Sequence, residues 1–165
     1  MSRIIAIDQS TSATKAMLFD EQGHMLARAD KEHRQYYPQT GWVEHDAEEI
    51  YSNMVEVIRQ VCDEGALKSE VSLSITNQRE TAVVWNRHTG KPISRAVVWQ
   101  DTRGAELCRQ LRAEGKAGMV MERSGLLIDP NFSATGLKWL LDNVPDARRQ
   151  AEQGELLLGT IDTWL

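Results

Sequence analysis

Short apolar runs separated by polar turns occupy the first part of the chain. Apolar residues fill positions 4–7 and 16–19, and a shorter run covers 25–27. Each run has the length expected of a strand, and Asp20–Glu21–Gln22–Gly23 is typical of a turn between the second and the third. Three consecutive strands with short connections predict an antiparallel β meander at the N-terminus.

Helical spacing of apolar residues follows, at positions 50, 54, 58 and 61, with Tyr51 and Val55 beside them. This spacing would give a helix one buried face. Asp46 precedes the face and Glu49 stands three residues later, which is the capping-box pattern. We therefore predict that a helix begins at Asp46 and buries one side.

The remaining pattern predicts further strands and helices. Positions 71–75 alternate as a half-buried strand does, and apolar runs at 81–85, 96–99 and 156–158 predict three more strands. Helices are expected to begin near Asp101 or Thr102 and near Ser133, and a charged helical piece ends at Gly154. The order of elements indicates a mixed α/β fold with a meander at the front.

Composition narrows the class of protein. With 165 residues, 41% of them hydrophobic and 26% charged, the chain has the length and balance of one soluble globular domain. A net charge of −5 argues against nucleic acid or an anionic membrane as partner. Two distant cysteines, no evident leader and no long apolar stretch favour a reducing cytoplasm without membrane insertion. The apolar ending Trp164–Leu165 suggests an incomplete domain.

Three polar segments could carry chemistry. Asp8 to Lys15 joins an acid, small hydroxyl residues and a cation, which suits phosphate and magnesium, although a plain hairpin turn has the same composition. Arg79 and Glu80 could grip neighbouring hydroxyls of a polyol, or form an exposed ion pair. Trp99 could wall a small-ligand site or lie in the core.

Taken together, five motifs resemble one family. They appear in its order and approximate spacing, and are Asp8–Gln9–Ser10–Thr11, Gly41–Trp42–Val43–Glu44–His45–Asp46, Thr76–Asn77–Gln78–Arg79–Glu80–Thr81, Val98–Trp99–Gln100 and Ile128–Asp129–Pro130. The sequence from Gly154 to Leu165 is similar as well. The chain thus resembles the FGGY carbohydrate kinases, and among them the glycerol kinases, over its whole length.

The resemblance implies a fold, a reaction and a set of site residues. The fold would be the actin-like, ribonuclease-H-like α/β architecture, with residues 1–165 forming an incomplete N-terminal domain. The reaction would move the γ-phosphoryl group of ATP, with Mg²⁺, to a primary hydroxyl of glycerol or a related polyol or sugar. The implied site residues are Asp8 for magnesium, through water; Thr11, Ser12, Ala13 and Lys15 for the phosphates; and Thr11, Arg79, Glu80, Trp99 and Asn131 for the substrate.

The catalytic base is expected outside these residues, in an aspartate further along the family's chain. The same holds for the adenosine pocket, so the isolated chain is expected to be inactive. The sequence does not decide whether the protein forms a homo-oligomer. The alternatives are a kinase for another substrate, such as erythritol or a pentulose, and a catalytically silent actin-like ATP-binding module.

Three positions depart from the family pattern. Ser10 stands where the family usually has glycine, so the hairpin must use ordinary dihedral angles or carry strain. Lys15 replaces an arginine, which exchanges a planar fork for a point charge at the phosphate. Asn131 replaces a tyrosine that touches glycerol in the family, which predicts room for a longer polyol or a ketose.

Overall fold

The computed structural model describes residues 3–65 and 70–165. The chain divides into two compact units. The first unit contains Met1–Gln35, Asp46–Gln78 and Ile161–Leu165, and the second contains Tyr36–His45 and Arg79–Thr160. Among the described residues, none of the helices combines the length and the apolar character that crossing a bilayer requires.

Strands come first along the described chain, and most of the helices lie in its second half. The strands are β1 (Ile4–Gln9), β2 (Ala13–Phe19), β3 (Met25–Glu32), β4 (Gln35–Tyr36), β5 (Glu44–His45), β6 (Ser72–Asn77), β7 (Ala82–Asn86), β8 (Ala96–Val97) and β9 (Leu156–Thr160). The helices are α1 (Ala47–Glu64), α2 (Ala105–Ala113), α3 (Ala117–Ser124), α4 (Ser133–Asn143), α5 (Ala147–Glu152) and α6 (Ile161–Trp164).

The sheet of the first unit has the strand order β3-β2-β1-β6. The three leading strands pair antiparallel, which confirms the predicted meander, and β6 pairs parallel to β1. Two parallel strands in one sheet need a crossover connection between them. In this chain α1 lies in the segment that leads from the meander, after β3, to β6. The core of this unit packs Ile5, Ile7 and Leu18 of the sheet against Val57 and Val61 of α1.

The predicted start of α1 is confirmed. Asp46 is the N-cap, and its carboxylate accepts hydrogen bonds from the backbone N–H groups of Glu48 and Glu49. The side chain of Glu49 accepts from the backbone N–H of Arg34 at 3.2 Å. The buried face differs from the prediction in part, because Asn53 and Val57 are buried, Ile58 is only partly buried and Tyr51 is exposed.

The prediction that the strand at 71–75 is half-buried is wrong. The strand forms as β6, but its residues from Ser72 to Thr76 are all exposed. The reason is tertiary, since β6 is the edge strand of its sheet and α1 packs mainly on β2 and β3. Alternation in a sequence predicts which side chains share a face, while a covering element decides whether the face is buried.

The second unit contains a five-stranded sheet of order β4-β5-β8-β7-β9, with α2 to α5. Val84 of β7, Val97 of β8 and Leu140 of α4 form the buried core of one cluster. The predicted strand at 96–99 ends early, at Val97, and the helix expected near Asp101 begins at Ala105. Short β4, β5 and α6, and all of α3, were not predicted, whereas α4 begins at the predicted Ser133.

A buried ion cluster explains why α2 begins late. Asp101 accepts from the backbone N–H of Val43 at 2.7 Å and from the guanidinium of Arg103 at 2.8 Å. Arg103 also donates to Glu44, and its guanidinium carbon lies 3.9 Å from the ring centre of Trp42. Burial alone would lower the pKa of Arg103, but the hydrogen bonds and charges of Asp101 and Glu44 raise it above its ordinary value. The contacts with Arg103 therefore give Trp42 and Glu44 of the Gly41–Asp46 motif a structural role.

Candidate functional site

The residues predicted to form the site fall into two groups, one in each unit. The first unit holds Asp8, Thr11, Ser12, Ala13 and Lys15. The second unit holds Arg79, Glu80, Trp99 and Asn131.

The phosphate hairpin, which we define as residues 8–15, is the connection between β1 and β2. Its strands pair antiparallel, with Asp8 opposite Lys15. The backbone N–H of Ser10 donates to the carbonyl of Ala13 at 2.8 Å, across a loop made by Thr11 and Ser12. Ser10 is not among the described non-glycine residues with positive φ, so the hairpin forms with ordinary dihedral angles despite the missing glycine.

The ladder places the acid and the cation of the hairpin side by side. The Asp8 carboxylate accepts from the Ser10 hydroxyl at 2.9 Å, and its other oxygen lies 3.5 Å from Lys15 Nζ. The Asp8 and Lys15 side chains are 37% and 36% exposed, so both charges remain accessible from solvent. Ser12 is exposed and Thr11 half-buried, while the side chain of Ala13 is buried and leaves only backbone to offer.

The phosphate hairpin could bind a magnesium ion through one carboxylate, with water and substrate phosphates as the other ligands. No group of three or more His, Cys, Asp or Glu among the described residues is arranged to hold a metal. Mg²⁺ commonly keeps several waters and binds through one or two carboxylates plus substrate phosphates. A single accessible carboxylate at Asp8 fits that coordination.

Sequence reasoning missed a buried polar layer behind the hairpin. Gln78 Nε2 donates to Gln9 Oε1 at 3.0 Å, and Gln9 Nε2 donates to the carbonyl of Ser10 at 2.8 Å. The backbone N–H of His33 donates to the carbonyl of Ser12 at 3.2 Å. Burial lowers the pKa of His33, and a hydrogen bond with the Thr11 backbone and the charge of Glu49 partly offset this.

A signal for this layer was present in the sequence. Gln9 continues the alternation that buries Ile5 and Ile7, so its side chain points to the core face of β1. A polar residue in phase with buried apolar residues must find a hydrogen-bond partner, and Gln78 supplies it.

In the second unit, Glu80 occupies a tight turn. Its φ angle is +66°, and the backbone N–H of Thr81 donates to the carbonyl of Arg79 at 2.9 Å. A hydrogen bond between residues two apart defines a γ-turn, and the form with positive φ at the centre is rare and strained. Positive φ in a non-glycine residue persists only where the surroundings enforce it, and such positions cluster at functional sites.

Ser133, at the first position of α4, holds the Glu80 carboxylate. Glu80 Oε2 accepts from the Ser133 backbone N–H at 3.0 Å and from the Ser133 hydroxyl at 2.8 Å. The same hydroxyl lies 2.9 Å from the Glu80 backbone carbonyl. Sequence reasoning took Ser133 as a helix start and missed this contact, because only the tertiary fold brings residues 80 and 133 together.

Trp99 and Asn131 lie on loops of the same unit. The backbone N–H of Trp99 donates to Thr81 Oγ1 at 3.3 Å, which places Trp99 next to the Glu80 turn. The residue is 39% exposed, so Trp99 is not a core tryptophan within the described chain. Asn131 is half-buried and stands two residues before Ser133. Arg79 is exposed, and among the described residues no side chain pairs with its guanidinium.

The chain matches known proteins over its whole length. Residues 3–165 match the N-terminal domain of the FGGY family of carbohydrate kinases. A glycerol kinase of Halorhodospira halophila is 54% identical over 164 residues, which cover 98% of this chain and 32% of that protein. A glycerol kinase of Alcanivorax borkumensis is 51% identical over 167 residues, which cover all of this chain and 34% of that protein.

Structural similarity agrees with the sequence matches. The crystal structure of Plasmodium falciparum glycerol kinase with ADP superposes with a TM-score of 0.90 at 34% identity, over 99% of this chain and 33% of that one. The chain spans about a third of the length of the relatives it matches. The expected actin-like α/β fold is thereby confirmed. The chain belongs to the FGGY family of carbohydrate kinases, within whose N-terminal domain its residues 3–165 fall.

Proposed function

We propose that the full-length protein containing this chain transfers the γ-phosphoryl group of ATP to a primary hydroxyl of glycerol or a related small polyol. The observation that carries the proposal is the accessible Asp8–Lys15 pair on a hairpin of small hydroxyl residues, within a fold shared with a glycerol kinase whose structure contains ADP. We also propose that residues 1–165 are an incomplete N-terminal domain, since the relatives are about three times as long.

The phosphate hairpin would position and neutralise the phosphates. Lys15 would contribute positive charge, and Thr11 and Ser12 would donate through hydroxyl or backbone groups, with Ala13 donating through its backbone. Asp8 would hold Mg²⁺ through water, and the ion would neutralise charge on the transferring phosphoryl group. Positioning and charge neutralisation are the main demands of phosphoryl transfer.

The Glu80 turn would bind the polyol. Arg79 carries only donors and an ionised Glu80 only acceptors, so adjacent substrate hydroxyls could accept from one and donate to the other. The exposed face of Trp99 would cover the carbon chain of the substrate, with Asn131 as a further contact. The proton of the reacting hydroxyl would pass to a base outside residues 1–165.

A second candidate is a kinase for a larger substrate, such as erythritol or a pentulose. Asn131 favours it, because a half-buried asparagine where the family usually has tyrosine leaves more room and offers both a donor and an acceptor. We also propose a cytoplasmic location, where a kinase of this class finds ATP, and no nucleic-acid partner, given the net charge of −5.

The test is ATP turnover by the full-length protein with glycerol, erythritol and several pentuloses, with and without Mg²⁺. We expect magnesium-dependent ADP formation with at least one of them, its loss in an Asp8→Ala variant, and a lower kcat/KM for the polyol in a Glu80→Gln variant. ATP binding without turnover on any substrate would contradict the kinase proposal for this panel and favour a silent ATP-binding module.

A further inference from the structure

The carboxylate at the Glu80 turn completes the N-terminus of α4. The N-cap residue of this helix is Phe132, which has no side-chain group able to accept from the first backbone N–H groups. Glu80 Oε2 accepts from the N–H of Ser133 instead, so the acceptor comes from a residue 53 positions earlier in the chain. The same interaction holds a strained turn and caps a helix.

The two oxygens of the Glu80 carboxylate differ in their hydrogen bonds. Both donors of Ser133, the hydroxyl and the backbone N–H, lie within hydrogen-bond distance of Oε2, and the hydroxyl also lies 2.9 Å from the Glu80 backbone carbonyl. Within the described residues, the hydrogen bonds to the Glu80 carboxylate reach Oε2 and not Oε1. An ionised carboxylate accepts at both oxygens, so Oε1 keeps its acceptor capacity for a ligand.

We infer that Ser133 is a positioning residue, which fixes the Glu80 carboxylate so that Oε1 accepts from a substrate hydroxyl. This inference rests on the proposed function of Glu80 as a polyol-binding residue. Without the Ser133 donors the carboxylate would lose its fixed orientation, and binding would then have to restore the order. The effect should therefore fall on polyol binding and spare ATP binding.

Two substitutions remove the donors in steps. Ser133→Ala removes the hydroxyl and leaves the backbone N–H. Ser133→Pro removes both donors, and α4 should tolerate it, because proline is favoured at the first helical position and Phe132 (φ −84°, ψ 140°) has the extended conformation that a following proline requires. Ser133→Thr keeps both donors, so its polyol KM should stay close to that of the wild type. Ser124→Ala is the matched control, since its exposed hydroxyl bonds only to nearby backbone, donating to Val120 O at 2.7 Å and accepting from Leu126 N–H at 3.2 Å.

The measurement is steady-state kinetics of the full-length protein with the best polyol and with ATP. We expect the polyol KM to rise about tenfold in Ser133→Ala, as for a lost hydrogen bond to a charged group, and further in Ser133→Pro. The KM for ATP should change less than about twofold in each, and Ser133→Thr and Ser124→Ala should resemble the wild type. In a Glu80→Gln background, Ser133→Ala should add much less than it does alone, because both changes act on one interaction.

Some kinetic results would overturn the inference while leaving the kinase proposal intact. One is an unchanged polyol KM in Ser133→Ala and Ser133→Pro, when Glu80→Gln raises it. Another is a full effect of Ser133→Ala in the Glu80→Gln background. Equal rises in the KM for polyol and for ATP would also contradict it, because they would indicate general structural damage.

Amide hydrogen exchange separates this inference from the proposed function. Exchange across residues 79–82 should be faster in Ser133→Ala and Ser133→Pro than in the wild type or in Ser124→Ala, whatever the substrate. If the wild type phosphorylates no polyol, the proposed function fails, and faster exchange would still support Ser133 as the residue that positions Glu80. Unchanged exchange would overturn the inference in either case.

Discussion

Asn131 stands where the family resemblance implies a tyrosine, which has a larger side chain. Its backbone N–H donates to Asp129 Oδ1 at 3.0 Å, so the short turn that carries it is ordered by its own neighbour. The side chain is half-buried on the loop that leads into α4. A residue held in this way can change the size of a binding site without changing the fold around it.

The first prediction concerns Asn131→Tyr in the full-length protein. Restoring the larger side chain should shift kcat/KM toward glycerol, relative to erythritol or a pentulose, by about tenfold, the scale of one well-placed contact. Parallel kinetics with both substrates measure the ratio, and Asn131→Gln serves as the control that keeps the amide. An unchanged ratio would show that position 131 does not set specificity.

At the scale of elements, α1 begins where its local sequence predicts, so the tertiary structure does not shift the start of this helix. Asp46 caps the helix through the backbone N–H groups of Glu48 and Glu49, as the sequence predicts. The buried face of α1 then covers β2 and β3, which support the strand that begins the hairpin. The sheet that carries the phosphate hairpin is therefore stabilised by α1, and the side chain of Asp46 fixes where α1 begins.

The second prediction concerns Asp46→Ala. Loss of this N-cap should lower the free energy of unfolding by about 1 kcal/mol, because backbone N–H groups at the helix start lose their acceptor. Urea unfolding followed by circular dichroism measures the change. Asp46→Asn, which keeps a capping oxygen, should lose less, and equal stability of the two variants would contradict the capping role.

For the whole molecule, the relevant fact is that the chain spans about a third of the length of its glycerol kinase relatives. Its described residues supply phosphate-binding and polyol-binding candidates in two units. The proposed reaction also needs a base for the hydroxyl proton, which we place outside residues 1–165.

The third prediction is that the isolated 165-residue chain forms no ADP from ATP and polyol above background, whereas the full-length protein does. A coupled ADP assay on both, at equal concentration, measures the difference. Circular dichroism of the isolated chain controls for folding. Turnover by the isolated chain comparable to that of the full-length protein would contradict the placement of the base.

The sequence alone determined the features that depend on neighbouring residues. Apolar runs and short turns gave the meander, a capping pattern gave the start of α1, and the motifs around Asp8 and Glu80 gave the family. These features could be predicted because strand alternation, helix capping and turn chemistry act over a few residues.

Only the tertiary structure decided what depends on distant residues. It left β6 exposed at a sheet edge, paired Gln9 with Gln78 inside the first unit, and brought Ser133 to the Glu80 carboxylate. The positive φ of Glu80 is likewise not predicted by the local sequence, which contains no glycine to favour it. Such contacts join positions dozens of residues apart, and a local pattern carries no information about which distant partner will be present.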